Sequence, residues 1–190
     1  MVEQGVIHAN PLDKIKFSKK APLKRARVIL SPDEIKDMLE KMQEHSGDIV
    51  YPIIFVITHT GARREEIRTL KWCDVDFENG FIILRKTKNG KGRRVKMAPQ
   101  VREFLMRQPH RNEYVFTGPD ELLPSKATIE YHVIRLQQLN QGMKPWRVHD
   151  LRHSFAHNYL KSGGEMYEPK ANLGHKSIQM TMVLHGNLQE

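Results

Sequence analysis

One cysteine, Cys73, stands in 190 residues, so no internal disulfide framework can staple this chain, and a reducing compartment suits it. Long apolar runs are also missing. The longest, "IVYPIIFVI" from Ile49 to Ile57, falls well short of the ~20 residues a membrane-spanning helix needs. No signal-peptide pattern opens the chain, and neither an internal repeat nor a low-complexity tract interrupts it. Aromatic residues make up only 7%, yet the 39% hydrophobic content is enough to bury one sizeable core in a single domain. No tyrosine follows Tyr167, which leaves the C-terminal stretch without a phenolic hydroxyl.

What the chain has in excess is positive charge. Lys and Arg number 31 against 22 Asp and Glu, a net charge of +9, which points toward nucleic acid or another acidic surface. The excess is local. Residues 16–27, "KFSKKAPLKRAR", hold six basic side chains and no acid, and residues 85–96, "RKTKNGKGRRVK", hold seven and no acid. With both runs set aside, 18 basic residues face 22 acidic ones, a net of −4. The first run, with Pro22 and polar flanks, reads equally well as a solvated linker. The second follows the apolar "FIIL" and turns at Asn89-Gly90 into "RRVKMA", the pattern of a basic β-hairpin. Such a hairpin repels itself unless a polyanion neutralises it.

The expected fold class is mostly α with a small three-stranded antiparallel sheet. Ser31, Pro32 and Glu34 start a helix over "SPDEIKDMLEKMQEH" as N-cap, first helical residue and capping box. A second, apolar helix runs from Ile49 to His59, is broken at Thr60-Gly61, and helix resumes over "ARREEIRTLKW". Three strands follow in "CDVDF", "GFIILRKT" and "RRVKMA". Helical patterns return at Gln100–Arg107, Lys126–Gln141, His149–Leu160, Tyr167–Leu173 and Ile178–Val183. Residues 1–30 read as a linker remnant after a missing upstream domain, and residues 31–190 as the domain itself.

The stretch "HDLRHSFAHNYL" sets His149, His153 and His157 four residues apart on one helical stripe. Histidines at that spacing can share a zinc ion. Against a metal stand Arg152, a fixed cation on nearly the same face, and the stripe's drift of about 40° per four-residue step. No suitably spaced carboxylate completes a ligand set, since Asp150 points elsewhere on the helix. The better reading is that His149 and Arg152 face an anion, with His153 and His157 packed or solvated behind them. In "TGARREE", Arg63 follows a glycine break and Glu66 sits three residues on, within reach of its guanidinium; a plain surface ion pair is the alternative. "LGHKS" presents His175 after a glycine at a helix start. Two arginines, two histidines and a lysine suit a phosphate that gains charge in a transition state.

"TGARREE", "KTKNGKGRRVKM", "HDLRHSFAHNYL" and "LGHKSIQMT", in that order, resemble the catalytic domain of the tyrosine recombinases, the phage integrase family. The likeness spans roughly residues 31 to 188, and "NPLDKIKF" resembles the family's link from a helical core-binding domain. The resemblance implies DNA recombination or integration in a mobile-element setting, in which a tyrosine attacks a DNA phosphodiester, forms a 3′-phosphotyrosyl bond and releases a 5′-hydroxyl. It implies no metal and no cofactor, double-stranded DNA as partner, a homo-oligomer on DNA that is a tetramer in synapsis, and a cytoplasmic, nucleoid-associated setting. By the same resemblance, Arg63 and Arg152 clamp the scissile phosphate, braced at Arg63 by Glu66. His149 assists proton transfer, His175 adds a hydrogen bond, and Lys88 is the general acid for the leaving 5′ oxygen. Lys86, Lys91, Arg93 and Arg94 are the hairpin's DNA-binding cations, and either lysine is the alternative to Lys88 if the hairpin register shifts.

The family's nucleophile lies nine or ten residues after "LGH", where "MTMVLHGNL" offers Leu184 or His185. His185 fits better, because Gly186, Asn187 and Leu188 continue the pattern. The chain thus resembles a tyrosine recombinase with histidine at the nucleophile position. Three explanations stay open: a deliberate replacement that stops cleavage, a naturally inactive DNA-binding protein, and an imidazole that itself attacks phosphorus.

A cationic phosphate grip predicts duplex DNA binding that weakens with salt at a log–log slope of about −0.9 per phosphate contact. EDTA leaves that binding unchanged; a titration in which the chelator abolishes binding restores the zinc reading.

Overall fold

The computed structural model describes residues 27–85 and 92–163. Helix α1, Pro32–His45, starts as its sequence requires. Ser31 Oγ accepts the Glu34 N–H at 3.2 Å while the Glu34 carboxylate accepts the Ser31 N–H at 2.8 Å, so two otherwise unpaired amide donors are satisfied reciprocally. Its inner face buries Met38, Leu39 and Met42.

Helix α2, Gly47–Thr60, is the hub of the core. Val50, Ile53, Ile54, Val56 and Ile57 are all fully buried, and burial on that many positions leaves no wide polar face. Each such aliphatic side chain contributes about 1.5–3 kcal/mol of burial. Both α1 and α6 (Val148–Lys161) pack against α2. Gly61 ends α2 with φ of 64° and donates its N–H to the Ile57 carbonyl at 2.8 Å. That left-handed residue turns the chain straight into α3, Arg64–Arg68.

The sheet is formed by β1 (Val75–Asp76), β2 (Phe81–Leu84) and β3 (Arg93–Lys96), all antiparallel in that order. Val75 pairs with Ile82, Ile82 with Val95 and Leu84 with Arg93. Ile82, Leu84 and Val95 point into the core, as strand alternation demands. Helix α4, Pro99–Met106, follows. Helix α5, Lys126–Leu139, is capped by Ser125 Oγ accepting the Thr128 N–H at 3.0 Å, and it precedes α6. Among the described residues no helix is long and apolar enough to cross a membrane.

The mostly helical architecture with one small antiparallel sheet matches the expectation, with one local difference. The helix expected over "ARREEIRTLKW" stops at Arg68, and Trp72–Asp74 form a single 3-10 turn. Tertiary pairing competes for that backbone: Val115 N–H donates to the Leu70 carbonyl at 2.9 Å and Trp72 N–H to the Glu113 carbonyl at 3.0 Å. The strands are shorter than their sequence patterns. The expected helices Tyr167–Leu173 and Ile178–Val183, the linker before residue 27 and the hairpin tip at 86–91 lie outside the described residues.

Because Gly61 holds a left-handed conformation, Gly61→Ala should cost about 1–2 kcal/mol and Gly61→Asn distinctly less. Urea unfolding of the three proteins checks this, and equal midpoints for glycine and alanine contradict it.

Candidate active site

Arg63 occupies the N-cap of α3 in an extended conformation, φ −75° and ψ 147°. Glu66, one turn on, accepts both the Arg63 backbone N–H and its guanidinium, each at 2.8 Å. The same carboxylate accepts a second guanidinium. Arg93, at the start of β3, donates Nη1 to Oε1 at 2.7 Å and Nη2 to Oε2 at 2.6 Å, the bidentate fork that arginine geometry favours. The side chains of Glu66 and Arg93 are 6% and 9% exposed, so this pair is buried. Burial alone would raise the Glu66 pKa, but the hydrogen bonds from the Arg93 side chain and the Arg63 backbone outweigh it and hold the carboxyl below its usual range.

Arg152 comes from α6 and is 2% exposed. Its Nη1 donates to the Gly61 carbonyl at 2.8 Å, so the break that ends α2 also seats this guanidinium. Burial, then the positive charges of Arg63 and Arg93, lower its pKa to about 9. It remains a cation at neutral pH, but one crowded by like charge with little water around it. His149 lies in the first turn of α6. Burial lowers its pKa, followed by the charges of Arg152, Arg63 and Arg27 and opposed by Asp150, so the ring is neutral at pH 7. His153 packs edge-on against it, ring centroids 4.8 Å apart, with a pKa lowered by burial to about 4. His157 is half-buried one turn further on.

Arg63, Glu66, His149 and Arg152 line one cavity of about 900 Å³, whose lining also includes Val133 and Trp146. A neutral imidazole beside two guanidiniums can donate to or accept from a bound oxyanion and move a proton at it. Asp150, the nearest acid in sequence, is occupied at the helix start, accepting the Arg147 N–H at 2.8 Å.

The structure therefore brings together Arg63, His149 and Arg152, three of the residues singled out from sequence, with Glu66 beneath Arg63. Arg93 is placed differently from the exposed hairpin cation expected of it: it is buried against Glu66, while Arg94 next to it is exposed. Strand parity is the reason, and it was available in the sequence, since Arg93 lies two residues before the core residue Val95 and so shares its inward face. Seating of Arg152 on the Gly61 carbonyl, 91 residues away, had no sequence signal. Lys86, Lys88, Lys91, His175 and His185 lie outside the described residues.

Comparison with known proteins gives consistent matches. A family model described as the phage integrase family matches residues 29–187. Tyrosine recombinase XerA of Pyrococcus furiosus is 27% identical over 164 residues, which cover 81% of this chain and 55% of that protein. The crystal structure of XerA recombinase superposes with a TM-score of 0.70 at 30% identity, over 83% of this chain and 59% of that one. The catalytic domain of bacteriophage HP1 integrase superposes with a TM-score of 0.65 at 25% identity, over 85% of this chain and 88% of that one. The chain spans about half the length of the curated relatives it matches.

Glu66→Gln removes the buried carboxylate that Arg63 and Arg93 share, so it should destabilise the protein by about 3 kcal/mol at pH 7. The lowered folded-state pKa of Glu66 sets the pH window. The carboxylate's contribution is fully present above its unfolded pKa near 4.5 and is lost as pH falls through the folded value, so wild-type and variant stabilities converge in acid. Urea unfolding at neutral and acid pH measures both; equal stability at pH 7 excludes the brace.

Proposed function

Because the chain belongs to the phage integrase family, we propose that its cavity is the strand-breaking and rejoining centre of a site-specific DNA recombinase and holds the scissile phosphate, in a chain with His185 at the nucleophile position. The observation that carries this reading is Arg152: a buried guanidinium held near Arg63 with its pKa pulled down to about 9 is a seat made for an anion. In this reading residues 31–190 are the catalytic domain and residues 1–30 the link from a domain upstream. The substrate is double-stranded DNA at the nucleoid, in the cytoplasm. Homo-oligomers, tetrameric in synapsis, assemble on it.

Arg63 and Arg152 bind the non-bridging phosphate oxygens, and their charge offsets the negative charge that builds up as the attacking oxygen adds to phosphorus. His149, neutral at rest, hydrogen-bonds the phosphate and takes the proton of the attacking hydroxyl. His175 donates a further hydrogen bond. Lys88 from the hairpin gives a proton to the departing 5′ oxygen, so that the phosphorus–oxygen bond breaks to a 5′-hydroxyl as the 3′-phosphoryl bond to the protein forms. Lys86, Lys91 and Arg94 contact neighbouring phosphates.

The attacking hydroxyl itself is what this chain lacks. His185 occupies the place of the family's tyrosine, and its imidazole nitrogen sits nearer the backbone than a phenol oxygen would. A displacement of about 1 Å from the attack position costs on the order of a hundredfold in rate. The chain is therefore a recombinase domain that binds DNA and does not cleave it. A non-enzymatic module that binds DNA through the basic hairpin and linker without chemistry is the poorer reading, since it has no use for a two-arginine seat with a histidine beside it.

His185→Tyr should restore a covalent adduct with a nicked suicide duplex, linked to a 3′ phosphate at residue 185, whereas the unaltered chain gives none. Denaturing electrophoresis and peptide mapping read the result. An acid-labile, alkali-stable adduct on the unaltered His185 overturns the cleavage-deficient reading, and no adduct from the tyrosine variant, with binding verified, overturns the placement of residue 185.

A further inference from the structure

Ahead of α1, residues Arg27 to Leu30 form neither helix nor strand, and α6 holds the chain there at Leu30. Leu30 is 2% exposed; its N–H donates to Ser154 Oγ at 2.9 Å, and its carbonyl accepts from Asn158 Nδ2 at 2.9 Å. Val28 packs against the core beside it. Ser154 and Asn158 are one turn apart on the same stripe of α6. The amide side of Leu30 meets the earlier residue and the carbonyl side the later one. This strap therefore runs in the same direction as α6, and residues before Leu30 lie toward the start of that helix.

Three residues reach at most about 10 Å, the length of six or seven residues of α-helix at about 1.5 Å each. Counted back from the Ser154–Asn158 pair, that reach brings Arg27 within range of His149, which lines the cavity. Electrostatics agrees with the count. After burial, the Arg27 charge is among the cationic influences that lower the pKa of both His149 and His153. Arg27 is exposed, whereas Arg152 is buried deep in the same site. It also ends the basic run of residues 16–27, so the strap fastens the end of that run to the helix that carries His149 and Arg152.

We infer that Arg27 binds a DNA phosphate flanking the one held by Arg63 and Arg152, and that Ser154 and Asn158 are positioning residues that hold the strap in place for it. The inference rests on the phosphate-grip reading of the cavity. It adds a contact at the rim and ties the upstream chain to the catalytic helix.

The test is the salt dependence of binding to a duplex of fixed length by the whole chain. Arg27→Gln should lower the magnitude of the log–log slope by about 0.9, so that affinity falls about 3.5-fold less between 50 and 200 mM salt. Arg27→Lys should keep the slope, and Lys36→Gln, at an exposed position of α1 whose charge is not among those that lower the His149 and His153 pKa, should not alter it. In a Ser154→Ala/Asn158→Ala background, Arg27→Gln should have no further effect. Asn158→Ala alone, which removes one of the two bonds, gives a weaker form of the same non-additivity if the double variant fails to fold. An unchanged slope in Arg27→Gln, with a lowered one in Arg63→Gln, overturns the contact at Arg27. Unchanged slopes in both overturn the phosphate grip itself. An equal change in Lys36→Gln reduces Arg27 to general electrostatics, and full additivity in the strap variants removes the positioning role.

Discussion

A single buried carboxylate, Glu66, organises the charged centre of this protein. Two guanidiniums converge on it, Arg63 from the start of α3 and Arg93 from β3. Without the anion, two cations would face each other in a poorly hydrated interior, where burying an unpaired charge costs several kcal/mol. With it, the helix start and the sheet are tied at one point, and Arg63 is held in a fixed orientation before any ligand arrives. The extended N-cap geometry at Arg63 gives Glu66 a backbone N–H as well, so the carboxylate fixes main chain and side chain together.

Around that anchor the site is biased toward negative ligands. Arg152 adds a third guanidinium, seated on the Gly61 carbonyl and pushed down to about 9 by burial and its cationic neighbours. The cavity lining carries Arg63, Arg64, Arg147 and Arg152 against Glu65, Glu66 and Glu130, so an excess of positive charge remains there. A phosphate placed there relieves the repulsion, and the relief is greatest when its oxygens carry most charge. Differential binding of that kind lowers a barrier as well as a ground state. Burial first, and then the same cationic neighbours, lower the His149 pKa, which favours the neutral ring that a proton acceptor needs.

The scaffold supplies rigidity from its least polar element. Helix α2 sits between α1 and α6 with most of its surface buried, and its terminal glycine delivers both the turn that presents Arg63 and the carbonyl that seats Arg152. Arg63 and Arg152 are thereby referenced to one point of backbone. The hairpin is different in character. Its strands are pinned through Ile82, Leu84 and Val95.

Local sequence signals account for much of this. The Ser31 capping box, the break at Gly61, the alternating strands and the i,i+3 spacing of Arg63 and Glu66 each depend on residues within one or two turns, and each is legible without a fold. So was the order of motifs that marks the family. The same local logic, applied fully, would have turned Arg93 inward beside Val95. Three features had no such signal. The helix after Arg63 ends early because Leu70 and Trp72 find backbone partners more than 40 residues downstream. Arg152 is seated by a carbonyl 91 residues upstream, and Leu30 is strapped to α6 by Ser154 and Asn158 across more than 120 residues. Residue types and their periodicity determine which elements form and which face of each is buried. Which guanidinium meets which carbonyl, and how far a pKa moves when it does, depends on packing between elements that no local spacing encodes.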